Sequence, residues 1–362
     1  MKIAVVGLGY WGPNLLRNLV ALVGADSVVM VEQSLDRIAA MAALYPSVGW
    51  STSLDDTLND DEVEAVILAT PVSTHARLAR AALEAGRHVL VEKPLAGSVV
   101  DAAELVMCAE ESDRILMVGH TFLFSPRVER MAEYLAEGRL GGIHYATSSR
   151  LNLGLHQRDI GVIWDLAAHD FSILFHLLNE FPVSVQTSGR GMVRADSLDV
   201  AFINLCFASG IVASVDVSWL APKKVRNTVL VGDRQMMVYD DLDNEGPVKI
   251  YDKGVVKPDP ENFGEHQLTY RQGDVLAPYV ASREPLAQEL AHFVGCIESK
   301  VPTPCLSNGR FGLRVVEALE AAERSWFEGG LPVIIEAALP GPDAAARDGQ
   351  VRKLAGSDRL SW

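Results

Sequence analysis

The first twelve residues constrain the fold most. The apolar run Lys2–Val6 ends at Gly7 and opens the stretch Gly7-Leu8-Gly9-Tyr10-Trp11-Gly12. Pro13 then begins a helical pattern with Leu15, Leu16, Leu19, Val20 and Val23 on one face, stopped by Gly24. A GxGxxG pattern alone is weak; between a strand and a helix it is a strong dinucleotide fingerprint. Gly7 permits the tight turn, Gly9 lets the backbone approach a pyrophosphate, and Gly12 allows close helix packing. Tyr10 and Trp11 fill the loop, and the helix N-terminus faces the phosphates. A glycine-rich turn without a ligand is the duller alternative.

The pattern behind this motif is repetitive. Short apolar β-branched runs at Ser27–Val31, Ala65–Ala69, His88–Val91 and Ile115–Val118 alternate with helical segments, including one from His75 to Ala85. That alternation predicts a parallel sheet with helices on both faces. After residue 121 the pattern changes. Helices are expected at Pro126–Glu137 and Trp164–Leu178, then long alternating strands in which Ala201, Ile203, Leu205 and Phe207 share one face, as do Ala213, Val215, Val217 and Trp219. The expected fold class is an α/β Rossmann dinucleotide-binding domain over 1–121. An α+β domain with a large, mainly antiparallel open sheet follows over 122–339 and serves substrate binding and oligomerisation. A polar, flexible tail is expected over 340–362. The uncovered sheet face is expected to carry a homodimer or homotetramer.

Charge and cysteine usage exclude several classes. A net charge of −15 leaves no basic surface for nucleic acid. No apolar run approaches the roughly 20 residues that span a membrane. Gly7 interrupts the first apolar run too early for a signal peptide. Cys108, Cys206, Cys296 and Cys305 form no CxxC pair, so neither a disulfide framework nor a zinc site is implied and a cytoplasmic location is expected. Asp165, His169 and His176 share a helix face, but no further ligand stands at compelling spacing, and no metal is expected.

Glu32 ends the second strand, 20 residues after Gly12. A carboxylate there bonds the adenosine ribose hydroxyls and repels a 2′-phosphate, which favours NAD over NADP. Gln33 lies beside it, and Arg37 weakens the exclusion; a solvated strand end is the alternative for Glu32. Thr70 and Pro71 lie at a strand's carboxyl edge, where ligands bind in open α/β sheets. His75 either lines the cofactor or caps the next helix. Glu92-Lys93-Pro94 closes another apolar strand, and Asp165 and His169 stand four residues apart on one helical face.

These ordered motifs (GLGYWG, Thr70–His75, Glu92-Lys93-Pro94 and the Asp165/His169 pair) resemble the Gfo/Idh/MocA family over roughly residues 1–335. The resemblance implies a Rossmann domain, a second domain whose open sheet mediates assembly, and NAD(P)-dependent chemistry on sugars, inositols and nucleotide sugars. It places the catalytic roles on Lys93, Asp165 and His169. Finer features, among them Gly119-His120-Thr121-Phe122, Tyr239-Asp240-Asp241 and Glu284-Pro285-Leu286 with Glu289, His292 and Phe293, resemble the branch acting on nucleotide sugars. Members of that branch oxidise C3 of a sugar such as UDP-glucose or UDP-GlcNAc to a 3-keto sugar for amino-sugar and antibiotic biosynthesis. An inositol or free-sugar dehydrogenase is the alternative, and a non-catalytic NAD-binding sensor or scaffold is the alternative of another class.

The chemistry agrees with these roles. Oxidising a secondary alcohol needs a base for the hydroxyl proton, which His169 supplies near neutral pH. Lys93 stabilises the developing alkoxide, and Asp165 holds a neighbouring hydroxyl or tunes the histidine. Weaker substrate candidates are His120, Phe124, Asn152 and Tyr279. The run Lys223-Lys224-Val225-Arg226 either meets a substrate diphosphate or forms a solvated turn.

Overall fold

A computed structural model describes residues 1–154, 160–193, 197–256, 269–299 and 305–340, so the tail over 340–362 lies, after its first residue, outside the described residues. The chain forms two compact units: Met1–Ser125 with Arg283–Glu320, and Pro126–Ser282 with the segment from Ala321 onward.

The first unit alternates strand and helix as β1 (Lys2–Val6), α1 (Gly12–Val23), β2 (Val28–Val31), α2 (Leu35–Leu44), β3 (Gly49–Ser51), α3 (Leu54–Leu58), β4 (Val63–Leu68), α4 (Val72–Glu84), β5 (His88–Glu92), α5 (Val99–Glu111) and β6 (Leu116–Gly119). All six strands are parallel, in the order β3-β2-β1-β4-β5-β6. Ile3, Val5, Ala65–Leu68 and Val89–Val91 are buried, as helices on both faces require. The strand order reverses between β1 and β4, and that switch point opens a crevice at the carboxyl ends of the strands.

This unit also recruits a distant helix that the expected boundary at 121/122 left in the second domain. In α8 (Pro285–Ser299), Leu286, Leu290, Phe293 and Val294 join the apolar cluster of Leu15, Leu16 and Leu19 from α1. Glu284 fastens the contact, accepting hydrogen bonds from Arg17 at 2.5 Å and Asn18 at 3.0 Å. The apolar stripe of α8 was legible in sequence, but nothing local specifies which stripe it meets.

The second unit is built on α6 (Pro126–Ala136), β7 (Ile143–Leu153), α7 (Ala168–Leu178), β8 (Pro182–Arg190), β9 (Val200–Phe207), β10 (Val212–Ser218), β11 (Leu220–Gly232), β12 (Met236–Asp240), β13 (Val248–Val256) and β14 (Thr269–Leu276). Helix α9 (Gly309–Phe327) and strand β15 (Val333–Ile334) complete the described elements. The strands form a nine-stranded sheet in the order β14-β13-β12-β11-β7-β10-β9-β8-β15, antiparallel except for β10 against β7. Alternation is clean: Ala201, Ile203, Leu205 and Phe207 are buried, whereas Phe202 between them is exposed.

Two local expectations are corrected here. Lys223-Lys224-Val225-Arg226 is not a turn but part of β11, where pairing with β7 shifts register between Leu220 and Val225. Arg226 is committed to Asp241 at 3.3 Å. The helix expected from Trp164 begins instead as a π turn, Ile163–Ala167, before continuing as α7.

Asp170 anchors α7 to the sheet. It is buried, accepts from Arg150 Nε at 2.7 Å, and also accepts from the Ser148 hydroxyl at 2.7 Å. Removing one member of a buried ion pair strands the other in a medium that cannot solvate it. Asp170→Ala is therefore expected to lower stability by about 3–5 kcal/mol in urea unfolding. The double change Arg150→Met with Asp170→Leu should recover most of that loss.

Candidate active site

The glycine motif forms a cradle whose shape is visible from what side chains would meet. Gly7 adopts φ +91°, and a Cβ there would lie 2.7 Å from the Ala69 carbonyl oxygen. A Cβ at Gly12 would lie 2.0 Å from the Gly7 carbonyl oxygen, so α1 starts tight against the loop. At Gly9, by contrast, a Cβ would meet nothing within 4 Å. The loop therefore closes on itself at two glycines and faces open space at the third, as close approach of a pyrophosphate requires. Tyr10 is 82% exposed and Trp11 43%.

Glu32 lies at the end of β2 beneath this loop. Its carboxylate accepts from the Leu8 N–H at 2.8 Å and the Ser34 N–H at 3.0 Å, with Arg37 at 3.4 Å. Burial works to raise its pKa, but these donors prevail and hold it below the usual carboxylate value. Glu32 thus braces the glycine loop while remaining anionic; Gln33 beside it is exposed. Thr70, half-buried, accepts from the Thr74 hydroxyl at 2.8 Å, and Pro71 is exposed ahead of α4.

His75 neither caps α4 nor points outward. It is 1% exposed in the first turn of the helix, with Nδ1 2.9 Å from the Pro94 carbonyl oxygen and Nε2 2.9 Å from that of Thr70. It ties the loop after β4 to the loop carrying Lys93. Its visible role is one of support.

Glu92 is buried at the end of β5, its carboxyl laid over Gly119 of β6, where a Cβ would stand 3.2 Å from Oε2. It accepts from the Lys93 N–H at 3.3 Å. Burial pushes its pKa up to about 7, against the pull of the Lys93 charge. Glu289 of α8, which sequence reasoning did not assign to the site, is buried nearby. Its Oε2 accepts from the Thr121 hydroxyl at 3.0 Å, and its Oε1 has no hydrogen-bond partner. Burial first, and then Glu92, raise its pKa well above the carboxylate range. Two desolvated carboxyl groups repelling one another do not both ionise. The signal in sequence was an acidic residue on the apolar stripe of Leu286, Leu290 and Phe293.

His120 follows Gly119. It is 1% exposed, its Nδ1 lies 2.8 Å from the Ser307 hydroxyl, and its Nε2 has no hydrogen-bond partner. Burial, assisted by the Lys93 charge, depresses its pKa to about 3, so it is neutral at physiological pH. Phe124 is buried in the apolar cluster, its ring 5.3 Å from that of His292. It packs rather than lining a ligand.

The second unit carries Asp165 and His169. Asp165 lies within the π turn and is half-buried; π turns recur at functional sites because the extra residue re-aims side chains. Trp219 Nε1–H donates to Asp165 Oδ2 at 3.1 Å. Trp219, read from sequence only as a strand residue, is fully buried and fixes that carboxylate. His169 is half-buried one turn on, and its carbonyl accepts from the Ser172 hydroxyl at 2.8 Å. Asn152 belongs to the same neighbourhood: a Cβ on Gly154 would contact both the Trp219 ring, at 2.8 Å, and Asn152 Nδ2, at 3.2 Å. Tyr279 is 86% exposed.

A parallel sheet in this strand order, with this cradle, defines a dinucleotide-binding Rossmann fold. The family model for the oxidoreductase family with an NAD-binding Rossmann fold matches residues 1–120, and that for the GFO/IDH/MocA C-terminal domain matches 128–238. The chain belongs to the Gfo/Idh/MocA oxidoreductases. It is 29% identical over 324 residues to the UDP-N-acetylglucosamine 3-dehydrogenase of Acidithiobacillus ferrooxidans, covering 88% of this chain and 95% of that protein. A crystal form of that enzyme superimposes with a TM-score of 0.74 at 27% identity, over 90% of this chain and 97% of the other. GenD2 from gentamicin A biosynthesis, in complex with NAD, gives a TM-score of 0.75 at 26% identity over 93% and 97% of the two chains. The myo-inositol 2-dehydrogenase of Thermotoga maritima is 24% identical over 343 residues, spanning 91% of this chain and 97% of that protein. NAD is the cofactor, and the open space at Gly9 and the anionic Glu32 fit it. Among the described residues no helix is long and apolar enough to cross a membrane.

The open glycine and a tight one separate binding from folding. Gly9→Ala should fold with an unchanged urea midpoint yet lose at least about tenfold in NAD affinity by calorimetry, because the methyl enters the space left for phosphate. Gly12→Ala should lower the urea midpoint itself.

The raised carboxyl pKa values also set a pH dependence. A carboxyl whose folded pKa lies above its unfolded value contributes stability below the unfolded pKa, and that contribution is lost as pH rises through the folded one. For Glu92 this window runs from the ordinary 4.5 to about 7. Relative to wild type, Glu289→Gln should gain stability as pH rises through this window, since it removes one of the two competing charges. Urea midpoints at intervals across it provide the check.

Proposed function

We propose that the protein oxidises a secondary hydroxyl of a sugar, or reduces the corresponding ketone, and that its substrate is a nucleotide sugar such as UDP-glucose or UDP-GlcNAc reacting at C3. The product is a 3-keto sugar ready for amination, a step that belongs to amino-sugar and antibiotic biosynthesis. The observation carrying this reading is the similarity to the Acidithiobacillus enzyme across nearly the whole of both chains. NAD, which the Gly7–Gly12 loop and Glu32 would hold, would supply a hydride acceptor for the carbinol carbon. Lys93 hydrogen-bonds the reacting oxygen and stabilises the negative charge that develops there. His169 takes the hydroxyl proton. Asp165, held by the Trp219 indole, orients a hydroxyl of the sugar ring. In the reductive direction His169 returns the proton.

Inositol or free-sugar oxidation is the second reading, favoured by the Thermotoga relative. A sensor that binds NAD without turnover is the third. Half-exposed Tyr145 and Phe202 on the second unit's sheet support self-association as a dimer or tetramer, and the reducing cytoplasm suits four unbridged cysteines.

NADH formation should be measured with UDP- and dTDP-sugars, inositols and free sugars. Turnover confined to nucleotide sugars is expected. Turnover confined to inositols would move the reading to the second class, and tight NAD binding with no turnover to the third. Lys93→Ala should lower kcat by about 10²–10³-fold and His169→Ala by about 10²–10⁴-fold, with NAD affinity within a few-fold of wild type.

A further inference from the structure

We propose that His292, Cys296 and Cys305 form a binding site for a soft divalent cation, zinc by its chemistry, separate from the groups assigned to the dehydrogenase reaction. His292 and Cys296 are one turn apart on α8, and Cys305 lies in the segment leading to α9. One donor atom from each lies within 4.8 Å of the other two. His292 Nε2 is 3.5 Å from Cys296 Sγ. A tetrahedral zinc with bonds of about 2.3 Å to sulfur and 2.0–2.1 Å to imidazole nitrogen would set that separation at about 3.5 Å and two sulfurs at about 3.8 Å.

The donors are prepared for this role. The Leu306 N–H donates to His292 Nε2 at 3.2 Å, so Nε2 carries the lone pair and the ring proton resides on Nδ1. That is the tautomer that turns a donor nitrogen toward the two sulfurs; the Leu306 N–H yields when a cation arrives. The Ser307 N–H bonds Cys305 Sγ. Such N–H···S contacts are the outer-shell support that thiolate ligands use. Both thiols are buried in the apolar cluster, whereas His292 is half-exposed and gives a route in.

Charge selects the cation. Two thiolates alone would be expensive in this apolar surrounding. Binding of M²⁺ by two thiols and a neutral imidazole forms two M–S bonds and one M–N bond and releases two protons, leaving the site electrically neutral. Among the described residues the cluster holds imidazole and thiol donors and no carboxylate, which disfavours magnesium and calcium. A bound cation would brace the Cys305–Ser307 segment, whose Ser307 hydroxyl bonds His120 Nδ1 at 2.8 Å.

The test uses the full chain, freed of metal by chelator and kept reduced without oxygen. Titration with Cd²⁺ should produce a thiolate-to-metal charge-transfer band that saturates at one equivalent. A pH indicator in weak buffer should report two protons released per cation, and Zn²⁺ should displace Cd²⁺ whereas Mg²⁺ should not. Cys305→Ser and, separately, Cys296→Ser should abolish the band or weaken binding by at least about 100-fold; circular dichroism verifies their fold. Absence of stoichiometric binding to wild type overturns the proposal without recourse to any variant. So does a band that survives both substitutions, since Cys108 and Cys206 would then be its source.

Discussion

A backbone that must approach a phosphate cannot carry side chains where the approach occurs, and it cannot collapse into the space either. The first unit meets both demands by folding the glycine loop against itself. Gly12 lets α1 start against the Gly7 carbonyl, and Gly7 in turn lies against Ala69 at the end of the neighbouring strand. Only Gly9 faces open space. The rest of the unit's chemistry is arranged about that loop. Parallel strands bring their carboxyl ends to one edge, so Glu32, Thr70, Lys93 and His120 all stand there although scattered over ninety residues of chain.

Below that edge, charge is kept under control by burial rather than by solvent. Lys93 sits above a protein interior holding Glu92, Glu289 and His120, each in the protonation state that its surroundings permit. The histidine is neutral because burial and a neighbouring ammonium both oppose a second positive charge. The carboxyls resist ionisation because they lack water and compete with each other. His75 lies between the Lys93 loop and the one after β4, with one ring nitrogen 2.9 Å from a carbonyl oxygen of each. The lysine is thus carried on a base with little freedom to rearrange, which suits a group expected to meet a developing charge in a fixed direction.

The second unit solves a related problem with different parts. A π turn introduces Asp165, the indole of Trp219 fixes it, and Asp170 locks the following helix to the sheet through Arg150 and Ser148. Lys223 to Arg226 shows how local signals mislead. Proline followed by three cations reads as a turn, yet this stretch lies inside a thirteen-residue strand, across a register shift that ends where Val225 and Arg226 pair with β7. Pairing of the residues that flank the stretch outweighs the preferences of four residues.

Sequence alone determined the strand–loop–helix fingerprint, the parallel sheet, the alternation of the second sheet and the positions of Lys93, Asp165 and His169. These follow from periodicity, from glycine's freedom at a tight turn and from short spacings, all properties of neighbouring residues. Tertiary structure decided that α8 packs on α1 and delivers Glu289 close to Glu92. It also turned His75 inward, buried Phe124, set Trp219 against Asp165 and gathered His292, Cys296 and Cys305. Each of those outcomes depends on which apolar stripe meets which. Burial area rewards many such pairings similarly, and only the packing of the complete chain selects among them.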